Sequence, residues 1–390
     1  MGAYTPLAGA MVNNSASVPW AAAFGNEIDR MLIELSADKY IKDNAANLTN
    51  NATPWSVPTI YAPDPYRTQI EASSGGLLTV LYDSAGNPSI MRVIPRFRIQ
   101  DVDAGTTMGT GTFPAFIVNG VAKSYLFYPV FLASQGAGGL AVSFPGRDPW
   151  NAISWDNARA ACVNKGTGWH LATRWEWAAV ALWSQKNGNV VRGNTAWGQA
   201  HDALWETSPR ADGAEPGLAS GTGRTKTGIG TAKWRHDGTF QGIADLVGNC
   251  WEWVDGMKLV AGEIYLPASR DNDVGALDSA WTATGITTAL LNAGSGNNWK
   301  DIPLSAGFDA LAAGTRQLAA QLMIAPKVAS GNSSIYAAQG GFWFDATSER
   351  FPVCGGSWSS GALAGLAALL LNNARSVVYD SIGFRPAFIS

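Results

Sequence analysis

Apolar residues recur with several different periods along this 390-residue chain, and the changes of period divide it. In residues 1–60, Ile28, Met31, Leu32 and Leu35 fall at helical spacing after Asn26. The polar stretch NAANLTNNATPWSVP then breaks the pattern, which predicts an N-terminal arm with one helix. From 61 to 145 the pattern turns to strands. LLTVLYD and IMRVIPRFRIQ flank a turn at residues 84–88 and read as a hairpin, and FPAFIVNG and SYLFYPVFLA continue it around Asn119-Gly120. Two helices follow. Ser154 caps SWDNARAACVNKG, which buries Trp155, Ala158 and Cys162 and stops near Gly166 and Gly168. Thr173 with Glu176 makes a capping box for TRWEWAAVALWSQKNG, closed at Gly188.

Beyond these helices a Gly/Thr-rich stretch leads into the strand-like GIADLVGNCWEWVDG, where Trp251 and Trp253 alternate with Glu252 and share one face. Gly248-Asn249 supplies a tight bend before it. Residues 265–345 are irregular, carry one helix at about 305–323, and read as an insertion. In the closing segment, AGLAALLLNN as a strand would place Leu366, Ala368 and Leu370 on one face and Leu369 and Leu371 on the other. A strand buried on both sides fits the same pattern. SVVYDS, residues 376–381, reads either as an adaptable binding surface or as an ordinary edge strand. No solenoid-type repeat is present.

Composition narrows the function. Charged residues make up only 15% and net charge is −3, with no Lys/Arg cluster, so the basic footprint of nucleic-acid binding is missing. No apolar run is long enough to span a membrane, and the first residues lack the pattern of a secretion signal. Gly (44) and Trp (17) are abundant, as expected of short strands and turns closed over bulky aromatic cores. Cys162, Cys250 and Cys354 are far apart and odd in number, so at most one bridge could form, and three buried free thiols is the favoured reading. The three histidines, His170, His201 and His236, form no metal or general-base pattern, and His170 reads as a structural hydrogen-bonding group. Glu252 reads as a buried partner for an arginine. GTGRTKTG lacks the spacing of a phosphate loop.

Three motifs occur in fixed order: SWDNARAACVNKGTGWHLATRWEWAAVAL, GIADLVGNCWEWV, and GGSWSSG…NNARS…IGFRPAF. Together they resemble the formylglycine-generating-enzyme group of the C-type lectin fold. The resemblance implies an α+β, C-type-lectin-like fold of that subgroup over residues 146–390, preceded by the arm and by the β-rich region 61–145. The enzymes carry a redox-active cysteine pair before G-F-R, and related sulfoxide synthases bind iron through several histidines. Residues 357–385 contain no cysteine and no such histidine set exists, so the expectation is a scaffold without that chemistry and without a required cofactor. A structural divalent ion would suit the fold, but no acidic cluster names its ligands.

Within that group the ending is similar to the variable proteins of diversity-generating retroelements, which include phage tropism determinants. Their framework is matched by Gly355, Gly356, Trp358, Asn372, Asn373, Ala374, Arg375, Ser376, Ile382, Gly383, Phe384 and Arg385. In that family adenines of Asn-type codons are mutated, which never yields Trp, Met, Gln, Lys or Glu. Residues 359–381 contain none of these. The resemblance implies a variable region at about 353–386. Its contact surface would comprise Ser359, Ser360, Leu363, Ala368, Leu370, Val377, Val378, Tyr379, Asp380 and Ser381, on a frame of Trp251, Trp253, Trp358, Arg375 and Arg385. For the two arginines the residues themselves suggest buried guanidiniums tying backbone carbonyls together. The implied partner is a protein or other macromolecular surface, met on a virion or cell surface. Oligomerisation would add avidity, although nothing fixes a symmetry. The competing expectations are an oxidative enzyme on the same scaffold and an invariant structural module of a phage tail or cell surface.

Overall fold

A computed structural model describes residues 64–105, 107–291, 296–299, 302, 306–325 and 340–390. The chain divides into two units, residues 1–80 and 81–390. The expected arm helix near Ile28–Leu35 lies outside the described residues. In the first unit a helix, Pro65–Ser74, begins where Asp64 accepts the Arg67 amide at 3.0 Å and ends at Gly75 in the left-handed region. Strand periodicity alone did not reveal this helix, because its signals are a cap and a stop with little apolar patterning.

The second unit is α+β. One sheet orders its strands as Pro88–Pro95, Tyr125–Pro129, Pro386–Phe388 and Trp169–Leu171, all antiparallel. The β-rich residues from 81 onward therefore share a sheet with the end of the chain. The second sheet is larger. Its path runs from Thr282–Thr287 through Glu263–Leu266, Lys258–Val260, Glu349–Gly355 and Gly365–Asn373 to Gly341–Phe344 and Asn297–Asn298. Trp251–Trp253 joins it by pairing with Glu349–Gly355 and, in parallel, with Ile382–Phe384.

The two helices form where the caps place them. Ser154 accepts the Asn157 amide to start Trp155–Val163, and the Thr173–Glu176 box starts Arg174–Lys186. The second helix is buried on nearly every side, with Trp175 and Trp177 fully enclosed. Glu176 does more than cap. Its Oε1 lies 2.9 Å from His170 Nε2 and accepts from Asn272 Nδ2 at 3.3 Å, so His170 is a structural group. Burial opposes charge on His170, but the Glu176 carboxylate outweighs it and raises the imidazole pKa. The helix expected at 305–323 is two pieces, Ala306–Asp309 and Ala313–Gln321. Among the described residues no helix is long and apolar enough to cross a membrane.

Candidate functional site: an aromatic sheet face and its overlying loop

Register assigns the faces of the large sheet. Val353 lies opposite both Trp253 and Leu370, and Leu370 lies opposite Trp343. Cys354 lies opposite Glu252 and Leu369, and Leu369 opposite Phe342. The second set of side chains turns into the main core beside the Arg174–Lys186 helix, apart from Glu252. The first set forms an aromatic cluster with Trp155, Trp251, Trp281, Phe351 and Phe384. Trp251 and Trp253 thus share a face, with Trp251 edge-on to Trp343 at 5.6 Å. At the outer boundary of this cluster Trp150, Trp343, Leu370 and Val377 are only half-buried.

A register slip corrects one expected contact residue. Cys354 pairs with Leu369 but the next residue, Gly355, pairs with Gly365, so the last long strand carries extra residues at 366–368. The bulge turns Leu366 into the main core and leaves Ala368 fully buried in the aromatic cluster. Ala368, expected on the ligand side with Leu370, has no access to a ligand.

Residues 376–381 form neither an edge strand nor any other regular element; they make an open loop over the aromatic face. Val378 and Tyr379 are 55% and 59% exposed, Asp380 is exposed, and Ser381 and Val377 are half-buried. The loop is anchored through its carbonyls. Arg375 O accepts from Trp155 N at 3.0 Å, Tyr379 O from Ala152 N at 3.1 Å, and Ser381 O from Trp251 N at 2.8 Å. Arg224 Nη1 donates to Asp380 O at 3.4 Å. Among the described residues, no side chain of 376–381 takes part in a hydrogen bond.

The turn at 357–363 is held differently. Trp358 is buried against Leu132 and Cys250, receives support from Asn249 O, and its own carbonyl accepts from Trp197 N at 2.8 Å. Ser360 Oγ accepts from Ser357 N at 2.9 Å, so Ser360 closes its own turn, while Ser359 is exposed. Leu363 stands apart. It lines a cleft of about 420 Å³ with Val190, Arg192, His201 and Asp202, which none of Leu370, Val377 and Tyr379 reaches.

The two frame arginines differ. Arg385 is fully buried and meets Glu252 as well as the carbonyls of Pro129 and Ala244. Burial pushes the Glu252 carboxyl up to about 7, against the pull of Arg385. Arg375, expected to be buried on backbone carbonyls, instead keeps 36% of its side chain exposed and binds carboxylates: Asp156 through Nε at 2.9 Å and Asp278 through Nη1 at 3.1 Å. It lies 5.2 and 5.0 Å from the rings of Trp155 and Phe351, which hold it flat where it cannot sink. The Asp156 bond is the main cause of its raised pKa.

Sequence reasoning missed Trp150, Ala152, Arg224 and Trp343. Trp343 alternates with Phe342 and Phe344 in GGFWFD, a usable strand signal within a region read as irregular. Arg224 gives no local signal, since its contact is 156 residues away. All three cysteines are free and buried. Burial raises each thiol pKa, Cys354 to about 11 despite the neighbouring Arg174. Among the described residues no group of three or more His, Cys, Asp or Glu side chains is placed to hold a metal ion.

Several solved structures are similar to this chain. The U1 variant of the major tropism determinant matches at 14% identity over 67% of this chain and 50% of that one, with a TM-score of 0.28. The I1 variant matches at 13% over 77% and 56%, and the P3c variant at 13% over 80% and 63%, each with a TM-score of 0.30. The chain thus spans about half the length of the first of these structures. No family model and no curated relative matches.

Proposed function

We propose that this protein recognises a macromolecular surface ligand, most simply a protein, through interchangeable side chains on a C-type-lectin-like scaffold of the formylglycine-generating-enzyme type. The setting is a virion or a cell surface. One observation carries the reading: the exposed loop 376–381 is fixed by its main-chain oxygens. Every amino acid supplies a carbonyl, so the side chains there can change while the anchors stay. The motif residues Trp251, Trp253, Trp358 and Arg385 are the opposite case, each buried and held by its side chain. Exposed Val378 and Tyr379, next in the chain to Val377, which packs on the same aromatic cluster as half-buried Leu370 and Trp343, favour an apolar or aromatic epitope.

The reading is of binding without catalysis and needs no cofactor. A thiolate is the reactive form of cysteine, and burial works against it at all three positions. The test is to exchange Ser359, Leu363, Leu370, Val377, Val378, Tyr379, Asp380 and Ser381 together, leaving buried Ala368 and the turn-closing Ser360. Melting temperature should hold while binding across a panel of whole cells and purified surface proteins changes. Collapse of the fold, or an unchanged binding pattern, would overturn the proposal.

A further inference from the structure

Arg224 belongs to none of the motifs, yet it stands between the two parts of the proposed surface. Its main chain is fixed on both sides. A Cβ on the preceding Gly223 would lie 2.5 Å from Trp358 Cδ1 and 2.6 Å from Trp197 Cδ1, so the backbone there is pressed against the frame. Gly223 O accepts from Asn194 Nδ2 at 2.8 Å, and Thr225 N donates to Asn249 Oδ1 at 2.9 Å. From this fixed base the guanidinium forks onto Asp148, with Nε and Nη2 at 2.7 and 3.0 Å from the carboxylate oxygens. It lies 6.0 Å from the Trp358 ring centre, and its remaining nitrogen reaches the Asp380 carbonyl at 3.4 Å.

Each contact has a distinct consequence. Asp148 matches the charge of Arg224 and orients the planar fork, so little freedom is left to lose when the third nitrogen points outward. Trp358 references the side chain to the frame turn. The Asp380 carbonyl is available whatever residue occupies position 380, and the Asp380 carboxylate adds only a minor attraction to it: the Asp148 hydrogen bond is the main cause of the raised Arg224 pKa and Asp380 the last.

We propose that Arg224 is a positioning residue for the recognition loop, setting residues 376–381 against the Trp358 turn through a main-chain contact indifferent to the displayed side chains. This rests on the display reading above, but it is tested without a ligand. Amide hydrogen exchange of the full chain should show the hydrogen-bonded loop amides, Val377 and Ile382, exchanging at least tenfold faster in Arg224→Ala. The sheet segments 351–355 and 366–371 should be unchanged. Arg224→Lys, which keeps a donor within reach but gives up the fork, should fall between the two. Unchanged exchange in the loop, acceleration spread evenly through the sheet, or a lysine variant as loose as the alanine one would overturn the assignment. Tyr379→Ala with Val378→Ala should leave loop exchange as it is. If that pair alone loosens the loop, the display reading fails, whereas the Arg224 comparison is still read in the native loop sequence.

Discussion

Arg385 forks onto Glu252, with Nε 2.6 Å from Oε2 and Nη2 2.9 Å from Oε1, and both side chains are shut away from solvent. Arg385 sits where the chain leaves one sheet for the other, between Ile382–Phe384 and Pro386–Phe388. Its remaining donors serve the carbonyls of Pro129 and Ala244, so one guanidinium ties together three segments. Removing one partner leaves the other as an unpaired buried charge, a loss of about 3–5 kcal/mol, whereas replacing both with apolar groups is far milder. Glu252→Leu should lower unfolding free energy by about that much, Arg385→Met by less because the raised Glu252 carboxyl then takes up a proton, and the double variant by clearly less than the sum. Urea denaturation of the four proteins measures the coupling. Simple additivity would mean that the pair does not act as a unit.

Ala368 and Tyr379 belong to one stretch of proposed variability but should respond in opposite ways. Ala368 is enclosed by the aromatic cluster, and enlarging it to Leu forces side chains off their rotamers for about 1–3 kcal/mol. Tyr379 touches its surroundings through its carbonyl, so Tyr379→Ser should stay within about 0.5 kcal/mol of the parent. Thermal melts of both variants check the contrast. A tyrosine variant as destabilised as the leucine variant would place the phenol ring in the fold.

What could be read from sequence was what is decided locally. Ser154, Thr173 and Glu176 declare their helices because a cap and the amide it accepts lie within one turn. The Trp251–Glu252–Trp253 alternation gave its face correctly because no slip interrupts that strand. Leu366 did not, since a bulge is set by pairing with Cys354 and Gly355 and leaves no mark in AGLAALLLNN. The helix expected at 305–323 failed for a related reason: apolar spacing continues across residues 310–312, where the backbone breaks. At the site, residues 376–381 read equally as a binding surface or an edge strand, because the groups that hold them as a loop, Ala152, Trp155 and Arg224, approach from distant parts of the chain.

Gly248 explains why the bend before the Trp-rich strand admits one residue type. Its φ is +74°, and a Cβ would stand 2.1 Å from Asn194 O, a main-chain atom that also accepts from Asn249 N. Gly86 supplies the control, with a φ of +78° and open space around it. Gly86→Ala should cost about 1 kcal/mol, the strain of the left-handed backbone alone. Gly248→Ala adds a clash with backbone that cannot retreat, and should cost at least about 2 kcal/mol more. Chemical denaturation of the two variants isolates the contact. Equal losses would show that Asn194 moves aside.

His236 gives the fold an acid limit. Its ring is buried, and Nδ1 accepts the Ile243 amide at 2.8 Å, which requires the neutral tautomer. Burial lowers its pKa to about 4, with Asp237 opposing and Arg92 and Arg235 assisting. In the unfolded chain the imidazole titrates near 6.5. Between these values the unfolded state binds more protons, so stability is lost as pH falls from about 6.5 through 4. The full loss is about 3 kcal/mol. His236→Asn can keep an acceptor for Ile243 and does not titrate, so unfolding free energy measured from pH 7 to 4 should fall less steeply in the variant. Glu252 acts in the opposite sense, since its raised carboxyl favours the folded state at low pH, but it is common to both proteins and cancels in the difference. Parallel curves for the two proteins would mean that His236 is already charged in the fold or stays neutral in both states.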